Sequence, residues 1–311
     1  MGRGLDRGEG RLTVEPVAAP ARATTRAPSS VALSARRAAN RWGWRLFVGA
    51  VVITLFGPIV ILVLFAFNDS NVLAFPLEGF TLVWFGQAFD DTLLRKALVN
   101  SFVVACVVAP VCCVLGTLAA FGLTRFRFRF RGAVAGLVGA PLVLPWLIIG
   151  IAALMGYARL DVELSRTTVI ATQTVCTFPL VAAIVSASLF RFERVQEEAA
   201  IDLGCSRMQV LRYVVLPHVA PALGAAAIFA FTWSFNNYEI SLFTIGFDQT
   251  FPIWVYSSVR NPDHTAVVNA ISTLISAGQI VLIVLGVRLL RRGGGATAMI
   301  GAELPETARS R

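Results

Sequence analysis

Six apolar runs, near residues 46–68, 97–123, 133–156, 167–190, 222–244 and 266–287, dominate the chain. Each exceeds the roughly 20 residues that a helix needs to cross about 30 Å of hydrocarbon. Lipid offers no partner to a bare backbone amide, so only helices or a closed barrel can span it. The runs lack the two-residue alternation of a barrel strand. The expected fold is therefore all-α, a polytopic membrane protein with six transmembrane helices over 46–290. Pro58, Pro110, Pro141, Pro145 and Pro179 fall inside or beside these runs and are expected to kink the helices, neighbouring spans re-satisfying the freed backbone groups. Charged residues make up 14% of the 311, against about 25% in soluble domains, which agrees with lipid as the solvent.

The arginines set an orientation. With six spans both termini share a side, and that side carries 9 Lys/Arg in the N-terminal tail, 4 in 124–132, 4 in 191–221 and 5 from Arg288 onward. The opposite connections 69–96, 157–166 and 245–265 carry 2, 2 and 1. The excess survives in the short loops alone, so both termini are expected in the cytoplasm of a cell-membrane protein. Residues 1–45, rich in Arg, Ala, Ser, Thr and Pro, read as a disordered cytoplasmic tail, and 291–311 as a second one. An organelle transit peptide is the competing reading of the N-terminus, and Asp6, Glu9 and Glu15 count against it.

The net charge of +9 does not indicate nucleic acid, because the arginines lie in tails and connections rather than in one groove. Arg125 to Arg131 alternate with phenylalanine, a pattern read here as an interfacial anchor on anionic membrane lipid. The cysteines Cys106, Cys112, Cys113, Cys176 and Cys205 form no CxxC pair, and small buried hydrophobes are expected rather than a metal site. The chain has no GxxxxGK[ST] and no Ser–His–Asp or Cys–His constellation, its histidines being His218 and His264. It is read as a non-enzyme without a cofactor of its own.

The longest connection on the arginine-rich side, 191–221, contains Glu197 to Leu203, a good helix former, then Gly204 as a left-handed stop. Ser206 and Gln209 form a capping box for a second short helix, which Leu216-Pro217 is expected to end before the chain re-enters the membrane. Ala199 and Ala200 offer a small-residue surface for close approach, and Glu198 and Asp202 stand at i and i+4. Those residues alone leave two readings open: a docking element for another protein, or a hairpin lying in the lipid headgroups.

Glu198-Ala199-Ala200, Gly204 four residues on, then Val214 and Leu216-Pro217, resembles the EAA loop of permease subunits of binding-protein-dependent ABC importers. Val214 stands where isoleucine is commoner. Phe67-Asn68, Asn100-Ser101, Arg125-Phe126-Arg127-Phe128-Arg129 and Thr232-Trp233-Ser234-Phe235-Asn236-Asn237 are similar to the polyamine-type branch, and within it to the second of two permease subunits. The resemblance, over about 45–292, implies a type I importer permease fold. It also implies that Glu198, Ala199, Ala200, Asp202, Gly204, Leu216 and Pro217 couple to an ATPase that binds the ATP. The implied partners are two ATPase subunits, a second permease and an extracytoplasmic binding protein, with no nucleic acid. The implied solute is a polyamine such as spermidine or putrescine; ferric iron and thiamine are alternatives handled by related importers.

Glu239 is the one ionisable residue placed inside a span. Thr232, Asn236 and Glu239 would form a stripe on one helix face, with Trp233 and Asn237 alongside, suited to a cation passing between helices. Hydrogen-bonded glue between spans is the alternative role. The polyamine branch commonly carries acidic residues where Asn236 and Asn237 stand, and Glu239 would supply part of that charge. A secondary transporter or channel, or a membrane scaffold, stays open as a competing class; one intramembrane glutamate is thin support for an ion pathway.

Overall fold

The computed structural model describes residues 30–71, 74–261 and 264–292, and the tails at 1–29 and 293–311 lie outside them. The chain divides into two compact units, Met1–Pro58 and Ile59–Arg311. Helix α1 (Ser30–Ala66) begins in the first and ends in the second. It starts sixteen residues before position 46, so the described part of the expected tail is helical; its Ala- and Arg-rich sequence favours that.

The second unit continues through α2 (Val83–Asp90), α3 (Thr92–Arg125), α4 (Arg131–Val143) and α5 (Trp146–Arg159). There follow α6 (Arg166–Arg191), α7 (Arg194–Asp202), α8 (Arg207–Val210), a π-helical turn (Leu211–Val215) and α9 (Leu216–Phe235). The described residues close with α10 (Glu239–Thr244), α11 (Phe251–Ser258) and α12 (Thr265–Arg292).

Among the described residues five helical stretches are long and apolar enough to cross a membrane, and six if α4 and α5 count as one broken span. The third apolar run is thus not a kinked helix. It is two helices meeting at 104°. Pro145 cannot donate to a helical carbonyl and pushes Leu144 out of the helical region (ψ 137), which ends α4 and lets α5 start in a new direction. The fifth run is also interrupted, α9 stopping at Phe235 and α10 restarting at Glu239.

Helices α3, α6 and α9 pack most extensively and hold the main core. Val104, Val108, Cys112 and Ala120 of α3 meet Val181, Val185 and Leu189 of α6 and Val219, Ala226 and Ala230 of α9. Valine and alanine dominate, compact side chains that suit helix association in lipid, which gains little from apolar burial and depends on close contact. Gly116 is the tightest case: a Cβ there would lie 2.7 Å from Val181 Cβ and 2.9 Å from the Ala182 backbone nitrogen. A second cluster joins Leu94, Ala97 and Ala105 of α3 to Trp254 of α11 and Val267 and Ile271 of α12. Of the cysteines, Cys112 and Cys176 are buried as expected, while Cys106 is exposed on α3.

Motif residues at the membrane edges serve the backbone. Asn68, 1% exposed, accepts from Glu78 N at 2.9 Å through its side chain and from Trp84 Nε1 at 2.9 Å through its carbonyl. Asn100 donates to Gln249 O, and Ser101 Oγ accepts from Phe251 N, so the pair anchors the start of α11 to α3. Asp91 caps α3 by accepting from Leu93 N and Leu94 N at 2.8 and 3.1 Å.

Replacing Gly116 with Val should force α3 and α6 apart and cost about 1–3 kcal/mol, the usual range for overpacking. Denaturant titration of the purified protein in detergent should show the earlier midpoint, and an unchanged midpoint would contradict this packing.

Candidate functional site

Two neighbourhoods gather the residues singled out from the sequence. The first is the segment 191–221. Helix α7 ends in a Schellman arrangement, with Gly204 at φ +92°, Gly204 N donating to Ile201 O and Cys205 N to Ala200 O. Ser206 Oγ then accepts from Gln209 N while Ser206 N donates to Gln209 Oε1 at 2.7 Å, the expected capping box.

The second helix does not end at Leu216-Pro217. It runs on as one helical rod from Arg207 to Phe235. Pro217 lacks the N–H owed to the preceding turn and crowds its carbonyl, and the chain accommodates it by widening to a π turn in which Leu216 N bonds to Leu211 O. The loop is therefore one short helix, α7, set against an extension of the fifth span.

Arg125, expected as a lipid anchor, instead pairs with Glu197 of α7; the two side chains are 13% and 21% exposed. Its guanidinium lies 5.9 Å over the Phe192 ring, whose other neighbour is His218 at 4.5 Å. Arg194 Nη2 donates to Thr124 O at 3.0 Å, covering a terminal carbonyl of α3. Two contacts thus pin α7 to the C-terminal end of α3. Ala200 turns inward against the core, so it does not share an outer surface with Ala199. Glu198, Ala199, Asp202, Gly204, Leu216 and Pro217 are exposed. Leu203 and Met208, at 87% and 70% exposure, add apolar surface left uncovered by the described residues.

The second neighbourhood is a cavity of about 610 Å³ between α5, α9, α10 and α12. Thr232, Trp233, Asn236, Asn237 and Glu239 all line it, although not as a stripe on one helix. The break after Phe235 brings them together: Asn236 caps α9, with its Nδ2 donating to Thr232 O at 2.9 Å, and Asn237 Oδ1 accepts from Ile240 N at the start of α10. Trp146 of α5 stands edge-on to Trp233, centroids 5.1 Å apart, and Phe229 stacks on Trp233 at 5.3 Å. Ile228, Ile283 and Val287 complete an apolar wall in which Glu239 is the only charged group among the described residues. Thr232 Oγ1 is buried in that wall without a protein hydrogen-bond partner.

The break rests on residues of α6 that were not singled out from the sequence. Gln173, 1% exposed, accepts from Ser234 Oγ at 2.5 Å and donates to Ser241 Oγ at 3.0 Å. Ser241 Oγ in turn donates to Asn237 O, and Thr168 Oγ1 donates to Thr244 O. The signal available beforehand was the run of polar residues at 167–177 inside an otherwise apolar span. Gly150 permits the contact from the other side, since a Cβ there would lie 3.1 Å from Glu239 O.

Residues 112–292 match the family described as the binding-protein-dependent transport system inner membrane component. The putrescine transport system permease protein PotI of Escherichia coli (strain K12) is 34% identical over 245 residues, covering 75% of this chain and 85% of the relative. The spermidine/putrescine transport system permease protein PotC of the same strain is 28% identical over 242 residues, covering 76% and 90%. Among solved structures, a chain of a bacterial ABC transporter that imports the acidic polysaccharide alginate superimposes with TM-score 0.64 at 13% identity, over 84% of this chain and 98% of that one. A chain of the inward-facing MetNI methionine ABC transporter gives 0.54 at 19%, over 65% and 96%.

Two substitutions check this geometry. Gln173→Leu strands the Ser234 hydroxyl and removes the donor to Ser241 Oγ, and should cost about 1–2 kcal/mol in a denaturant titration. Arg125→Ala should speed amide exchange across Arg194–Asp202 about fivefold, equivalent to about 1 kcal/mol for a partly exposed ion pair.

Proposed function

The chain belongs to the inner membrane components of binding-protein-dependent transport systems, and from that premise we propose that it forms one half of an ATP-driven import path for polyamines such as putrescine or spermidine. It is a multi-pass membrane permease subunit rather than an enzyme. ATP is bound and hydrolysed by a partner, in two copies, and a second permease supplies the remaining wall of the path. An extracytoplasmic binding protein delivers the solute. Both termini lie in the cytoplasm, the side favoured by the arginine distribution.

The observation that carries the solute reading is the cavity. Trp146, Phe229 and Trp233 offer aromatic faces and Glu239 a carboxylate, a pairing that suits alkylammonium groups through cation–π and ionic attraction. The apolar remainder suits the methylene segments between such groups. Glu239 and Trp233 are exposed in the single chain, which leaves the cavity accessible to a second subunit. Asn236 and Asn237, occupied as helix caps, contribute oxygen acceptors rather than charge.

Coupling is assigned to α7 and its flanking turn. Glu198, Ala199, Asp202 and Gly204 with Leu203 and Met208 form the exposed face that an ATPase groove grips, and Arg125–Glu197 and Arg194–Thr124 hold that face against the bundle. Leu216 and Pro217 lie where the pushed segment joins the fifth span, so displacement of α7 is delivered to the helix that lines the cavity.

In proteoliposomes holding the permease pair, ATPase and binding protein, Glu239→Gln should lower putrescine uptake at least tenfold. Unaltered uptake of both putrescine and spermidine would refute the path. Ala199→Arg should abolish ATPase co-purification while the chain stays inserted, and an intact complex would refute the coupling surface.

A further inference from the structure

Asn236 faces two cavities. Besides the one described above, a second of about 480 Å³ is lined by Asn236, Tyr238, Tyr256, Arg260, Ser276 and Gln279, among others. Along α12 the residues facing this second cavity run from Ser272 to Gln279, and those facing the first are Ile283 and Val287. Gln279 and Ile283 are four residues apart, about 6 Å of helix rise, so the two spaces lie in series along one helix.

Asn236, the residue common to both, is held to α12 by an exposed side-chain bond: Gln279 Nε2 donates to Asn236 Oδ1 at 3.2 Å, linking α12 to the end of α9. The other end of the Asn236 amide is committed, its Nδ2 donating to Thr232 O at 2.9 Å. That second bond fixes the amide so that its oxygen, and not its NH₂, is turned to Gln279. The partition therefore presents an acceptor. A neutral amide pair at 3.2 Å is weaker than the bond an ammonium makes to the same oxygen, because a charged donor forms shorter and stronger hydrogen bonds.

We propose that the Asn236–Gln279 pair is a selective partition between the two cavities, opened when an N–H donor of the solute displaces Gln279 from Asn236 Oδ1. Solutes rich in N–H donors, alkylammonium ions above all, pass it. Anions, although drawn into the second cavity by Arg260, find an oxygen facing them at Asn236 and are resisted there. The proposal rests on the reading of the first cavity as a solute path, and it names the residues that set the class of solute beyond Glu239.

The test uses the reconstituted assembly in proteoliposomes, assembly being verified by ATPase co-purification. Efflux of preloaded labelled putrescine and labelled succinate is followed without ATP. Gln279→Leu and Asn236→Leu should each raise succinate efflux at least fivefold, and the double variant should exceed neither single one. Gln279→Glu keeps size and polarity but sets acceptor against acceptor, and should leak likewise if the leucine variants fail to assemble. Asn236→Asp retains an acceptor for Gln279 and should stay as tight as the parent. Succinate efflux at the parent level in the assembled Gln279 variants would overturn the partition, whatever the uptake data show. If those variants leak but the parent takes up no polyamine with ATP, the partition stands and the polyamine assignment falls.

Discussion

A backbone amide inside a membrane has no water to turn to, and among the described residues several departures from helix are met by side chains that supply the missing bonds. The interruption at Asn236–Tyr238 is the clearest case. Asn236 and Asn237 cap the helix ends that it creates, and the Ser234–Gln173–Ser241 chain carries the connection across to α6. Without Gln173 the two serines would be buried polar groups with reduced partnership, and the break would be costly to hold. The cavity exists because that break is held. Its polar wall is made of the residues that end one helix and begin the next.

The same economy links the two working parts. Helix α9 is continuous with the extension that carries the π turn at Leu211–Val215, and it ends at Asn236 in the cavity wall. A continuous helix thus connects the exposed face beside α7 to the cavity wall, while Arg125 and Arg194 tie α7 to α3. The π turn stores an extra residue relative to the α-helix, which gives such a rod a place to change its winding. Under the proposed coupling, movement imposed on α7 would reach the cavity through packed helices and a continuous backbone rather than through a flexible linker.

Polar residues in the apolar runs divide by what they serve. Asn68, Asn100 and Ser101 serve the backbone of the outer connections, Gln173 and Thr168 serve the helix break, and Glu239 faces open space. Sequence position does not separate these roles, because a hydrogen-bonding side chain in an apolar run reads the same whether its partner is a neighbouring carbonyl or a solute. The family resemblance of Phe67-Asn68 and Asn100-Ser101 gains a physical reason here: they hold the loops at the mouth of the bundle.

What the chain order alone determined was the helical class, the approximate spans and the two caps of the loop, because apolar length, Gly204 and the Ser206–Gln209 spacing act through local geometry. The outcome of each proline was not local. Pro110 and Pro179 sit in unbroken helices, Pro145 turns the chain through 104°, and Pro217 is absorbed by a π turn. Likewise the stripe expected on one helix became a wall built from two, and Arg125 left the lipid surface for Glu197. Only tertiary packing decides such cases, since it is the neighbouring helix that supplies or withholds the partner for each freed backbone group and each charge.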